Sequence, residues 1–84
     1  MSVATNAAAR LEQLDRQMLS LLAQRVRAYQ EMREEMEEGE DIQEDVGGLV
    51  MWWAETAEEE EGLDPAAAAH IGKSVLALCR RMAE

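Results

Sequence analysis

An arginine stands where the spacing calls for an apolar residue. Leu11, Leu14, Met18, Leu21, Arg25, Ala28 and Met32 recur at intervals of three and four, which is the spacing of a heptad seam on one helix. Arg25 is the one charged member of that line. A guanidinium in an apolar seam needs a carboxylate, a phosphate or several carbonyls to offset its desolvation. Its planar fork of donors suits a bidentate grip on a carboxylate. Arg25 is therefore the candidate anion-binding residue. The competing reading is a snorkelling side chain or an inter-helix salt bridge that fixes register.

The other chemically capable residues form no comparable pattern. From Glu31 to Asp45 there are nine carboxylates in fifteen residues, with Arg33 the only base, but the calcium-loop order of acids, glycine and terminal glutamate is missing. This segment reads as a solvated face or an interaction tail. Glu58 to Glu61 reads the same way, and the E-x-x-H pairing of a di-iron bundle is missing there. His70 is the only histidine and Cys79 the only cysteine, so both are expected to be structural, with neither metal nor cofactor. Ser74 has no recognisable triad around it. Gly47-Gly48 is expected to be a turn, since no lysine follows in phosphate-loop order.

Three helices would position these residues. The stretch from Asn6 to about Glu38 has neither glycine nor proline and is expected to form a long first helix over about 6–38, with Thr5 or Asn6 as N-cap. Leu22, Tyr29 and Met36 widen its stripe on one side. An acidic connection follows over 39–48, then a short second helix over about 49–61. Its face is Val46, Leu49, Val50, Trp53 and Ala57, with Met51 and Trp52 pointing elsewhere, and it stops at Gly62. Asp64-Pro65 is a helix start, with the acid as N-cap and proline at the first helical position. The third helix runs over about 65–83 with Ala67, Ala68, Ile71, Val75, Leu78, Cys79 and Met82 on its apolar stripe and Lys73, Arg80 and Arg81 on its other face. The fold class is all-α: one domain over 1–84 with a long, a short and a medium helix.

Composition narrows the partners. In 84 residues, 18 acids against 8 bases give a net charge of −10, which repels the phosphate backbone and anionic lipid. Nucleic acid and membrane are poor candidates. The longest apolar run, Leu49 to Ala54, falls far short of the roughly 20 residues that span a bilayer. With a lone cysteine and no leader pattern at its start, the sequence reads as cytoplasmic. A helix long enough to outrun the rest of so short a chain cannot bury its whole seam within that chain, so a homodimer is expected. Two adjacent tryptophans, Trp52 and Trp53, cannot share one helix face, and the one left over, or the acidic segment, is a candidate contact for another protein.

The run Arg10 to Arg25, RLEQLDRQMLSLLAQR, resembles the first helix of the all-helical class of chorismate mutases. Leu11-Glu12 and Leu14-Asp15 stand for that family's two I-D pairs, and Leu19, Leu21, Leu22 and Arg25 follow in step. The order of a long helix, an acidic connection, a short helix and a G-L-D-P start agrees as well. The resemblance implies an intertwined helical dimer, a cofactor-free rearrangement of chorismate to prephenate, and a carboxylate-binding role for Arg25. It also shows departures. The family's other first-helix arginine falls on Ala8, and Arg10 lies about 200 degrees away around a helix at two residues' distance. The lysine that serves the ether oxygen falls on Met36. The second-helix arginine and glutamate fall near Glu44 and Asp45, and the late glutamine or glutamate at about Ala83. The expected function is accordingly a chorismate mutase-like dimer with a depleted site, serving as a binding or regulatory module. The alternatives are a divergent chorismate mutase whose missing cations come from elsewhere in the dimer or from a partner, and an unrelated acidic helical adaptor.

Overall fold

The computed structural model describes residues 3–35 and 46–83, and every regular element among them is helical: α1 (Val3–Glu35), α2 (Val46–Glu61) and α3 (Pro65–Met82). Three boundaries differ from the sequence reading. α1 begins at Val3, so Thr5 and Asn6 are helical residues and not its N-cap; no glycine or proline stands there to delay the start. Residues 36–38 and most of the acidic connection lie outside the described residues. α2 begins at Val46, which draws Gly47 and Gly48 into its first turn in place of the expected turn. Glycine costs a helix about 1 kcal/mol relative to alanine, but Val46 and Leu49 both pack on the core, and that anchorage extends the helix backward. α3 ends at Met82, with Ala83 as its C-cap.

The α2–α3 corner follows the local chemistry of its residues. Gly62 adopts φ +65°, the left-handed geometry that glycine accepts without a Cβ penalty. The Gly62 N–H donates to the Glu58 carbonyl at 3.2 Å and the Leu63 N–H to the Ala57 carbonyl at 3.0 Å, which closes the end of α2. The Asp64 side chain then accepts from the Ala67 N–H at 2.8 Å, with Pro65 at the start of the helix. The antiparallel pair α2 and α3 is locked where Trp53 lies on Gly72. A Cβ built on Gly72 would stand 2.5 Å from the Trp53 Cγ, so the indole occupies the space that any side chain at 72 would need.

α3 carries the core. Val26 and Tyr29 of α1 meet Val75, Leu76 and Cys79 of α3, with Leu22, Val46, Leu49, Trp53 and Ala83 packed around them. Cys79 is fully buried, and among the described residues no polar or charged side chain is buried. The face of α1 used here is the flank marked by Leu22 and Tyr29, not the heptad seam. α3 is rotated from its expected stripe in the same way: Gly72 and Leu76 are inside, while Ile71, Leu78 and Met82 remain exposed. On α2, Trp53 packs inward, whereas Met51 and Trp52 are exposed.

The seam itself is bare. Leu11, Leu14, Met18 and Leu21 are between 49 and 62 per cent exposed. Arg25 contacts Cys79 and Gln30 contacts Met82, so α1 and α3 run in the same sense and touch through their C-terminal halves. The 33 residues of α1 span about 50 Å at 1.5 Å per residue, most of the molecule's 58 Å length. Its N-terminal half projects past the core.

Candidate functional site

Arg25 lies where α1 meets α3. It is half-buried, and its Nη1 donates to the Cys79 Sγ at 2.9 Å. Thiol sulfur is a weak acceptor, so this contact orients the guanidinium without neutralising it. The arginine reaches this position because it is one residue from Val26 and four from Tyr29, both of which are buried against α3. Its guanidinium is thereby brought against the sulfur of the fully buried Cys79. One turn further on, Gln30 Nε2 donates to the Met82 carbonyl at 3.0 Å, which fixes the two helices in register beside the site.

Beside the guanidinium is an open hollow of about 300 Å³ lined by Arg25, Ala28, Tyr29 and Met32. Arg25 is the only cation among those lining residues. Among the described residues no carboxylate lies within ion-pair distance of it; the single ion pair found there is Arg16 with Glu12 at 2.8 Å, four residues apart on the exposed face of α1. The salt bridge considered from sequence is therefore absent among the described residues. The hollow has one positive charge, a phenol-bearing wall at Tyr29 and an otherwise apolar lining.

The remaining sequence candidates do not converge on it. Ala8 and Arg10 are exposed on the projecting half of α1, and Lys73, Arg80 and Arg81 are exposed on α3. Met36, Glu44 and Asp45 lie outside the described residues. Ala83 packs against the core with no polar side chain to offer. His70 is exposed, and its carbonyl accepts from the Ser74 hydroxyl at 3.2 Å, a local helix contact. Among the described residues no group of three His, Cys, Asp or Glu side chains is placed to hold a metal ion, and no helix is long and apolar enough to cross a membrane. Sequence reasoning missed Cys79 as the partner of Arg25. The two are separated by 54 residues, and only the crossing of α1 over α3 joins them.

Among the described residues these observations define an all-α arrangement of three helices with one half-buried arginine where α1 meets α3. No protein-family model matches the chain, and no similar curated protein or solved structure is found.

Proposed function

We propose that this chain works as a chorismate mutase-like helical dimer whose site is reduced to Arg25, and that it serves as a binding or regulatory module. The observation that carries this reading is the Arg25 hollow, where one guanidinium stands among Ala28, Tyr29 and Met32. Holding a dianionic substrate in a reactive conformer takes several convergent cations and a donor at the reacting oxygen. A single clamp supplies binding without that transition-state stabilisation.

The dimer part of the proposal rests on the bare seam. Fully burying a leucine or methionine side chain yields about 1.5–3 kcal/mol, so side chains already partly covered would each gain about 1 kcal/mol. Four such positions on each of two chains give on the order of 8 kcal/mol, enough to offset much of an association cost of about 4–15 kcal/mol. Pairing the projecting halves of two α1 helices is the symmetric way to cover them.

A second reading, a divergent chorismate mutase with weak or partner-dependent activity, is favoured by one feature: Arg10 is exposed on the projecting half of α1, the part of the chain that a second copy would receive. Incubation of the purified protein with chorismate separates the two. The first reading expects no prephenate above the uncatalysed rate. Robust turnover that is abolished by Arg25→Ala would overturn it in favour of the second.

A further inference from the structure

We propose that the outward face of α2, built on Met51 and Trp52 and bordered by Glu55, Glu58 and Glu59, docks a lysine- or arginine-rich amphipathic helix of another protein. This surface stands apart from the Arg25 site and from the pairing of α1.

α2 turns Val46, Leu49 and Trp53 to the core and buries Ala57. At about 100 degrees per residue, this leaves Met51 and Trp52 on the far side, where they are 62 and 61 per cent exposed. Two large apolar side chains next to each other in water mark an interaction surface, and tryptophan is the anchor that interfaces favour. Glu55 follows one turn further along, about 40 degrees around the helix from Met51 and about 60 degrees from Trp52. Glu58 and Glu59 come after it, each within about 20 degrees of Met51 and Trp52 respectively. All three carboxylates are exposed, and among the described residues none of them is ion-paired, the single pair there being Arg16 with Glu12. The surface is an apolar knob with carboxylates on one side. It matches a partner that presents an apolar residue and, a turn away, cations, and the indole face attracts the same cations.

Charge selects the occupant. α2 carries five acids and no base, whereas residues 3–27 of α1 hold four arginines against two acids. A second copy therefore meets this chain with least repulsion through α1, and its net charge of −10 disfavours it on α2. The connection over 37–45 has six acids and no base, so like charge disfavours it as a cover too. The acids are also a burden on the helix that carries them. Its last turn has no base, carboxylates there oppose the helix dipole, and Glu55 and Glu59 are like charges four residues apart. Helix stability does not account for them. A partner's cations would relieve both effects on docking.

The test titrates the full chain with a capped amphipathic peptide of leucine and lysine in helical period, followed by calorimetry and by the indole N–H resonances of Trp52 and Trp53. The expected result is saturable binding, weakened by added salt, that shifts the Trp52 indole and leaves that of Trp53 nearly unmoved. Trp52→Ala should bind at least about tenfold more weakly. Glu55→Gln combined with Glu59→Gln should also bind about tenfold more weakly while melting no lower than the parent chain. Glu31→Gln combined with Glu34→Gln, which removes the same charge from exposed positions on α1, should leave affinity within about twofold. Equal weakening by the two pairs would reduce the effect to net charge and overturn the proposal. Undiminished binding by folded Trp52→Ala, or the lack of a saturable shift at Trp52, would overturn it as well. So would loss of self-association by Trp52→Ala in sedimentation, because the occupant of the face would then be a second copy.

Discussion

Replacing Gly72 with alanine sets two effects of opposite sign against each other. In the interior of a helix, glycine to alanine is stabilising by about 1 kcal/mol because the unfolded chain loses freedom and the helix gains propensity. At this position the new Cβ would stand 2.5, 2.6 and 2.8 Å from the Trp53 Cγ, Cδ2 and Cδ1. Those atoms are the root of the indole, held close to its own backbone, so the ring must move as a whole by about 1 Å, with α2 following. Overpacking of this kind costs about 1–3 kcal/mol and occasionally more. The displaced Trp53 also packs against the central cluster, which places the cost toward the upper end of that range. The net expectation is a loss of about 1–2 kcal/mol. In a domain of this size each kcal/mol moves the midpoint by roughly 4–8 °C, so Gly72→Ala should melt about 5–15 °C lower when followed by far-UV circular dichroism. A midpoint that is unchanged or raised would mean that helix propensity wins, and that the Trp53–Gly72 contact is not what holds α2 on α3.

Three further outcomes follow from the same packing. Leu76, at 5 per cent exposure in the central cluster, should cost about 2–5 kcal/mol when cut to alanine, read as a lower denaturation midpoint in urea with little change in slope. Asp64→Ala removes the acceptor of the Ala67 N–H and should cost about 1 kcal/mol, whereas Asp64→Asn should recover most of it in the same melt. Leu14→Glu places a charge on the exposed seam but outside the central cluster. It should abolish self-association in sedimentation velocity while helicity per residue changes little.

Local chemistry made the ends of α2 and α3 legible. Gly62 supplies a left-handed residue, Asp64 an acceptor and Pro65 a fixed φ, and each acts within a few residues of itself. Periodicity made the helices legible but not their packing. The seam from Leu11 to Met32 is the most regular apolar line in the chain, yet α3 takes the flank at Leu22, Val26 and Tyr29, because periodicity tells how a helix is striped and not which stripe meets which neighbour. The sequence reading carries the third helix across Gly72 without a role for it, and its actual role is the vacancy that receives Trp53. That role depends on a residue 19 positions earlier. Arg25 stood out as a charge out of place in the seam, and the structure adds that its guanidinium donates to the Cys79 sulfur. The thiol, a lone cysteine in the sequence, carried no signal pointing to the arginine.

The bare N-terminal half of α1 is to be covered by a second copy of the chain. Sedimentation equilibrium of the intact protein at micromolar concentration measures this without a label or a ligand. A mass twice that of the 9.4 kDa chain, returning to the single-chain value in Leu14→Glu, is the predicted result. A folded single chain across the whole concentration range would contradict it.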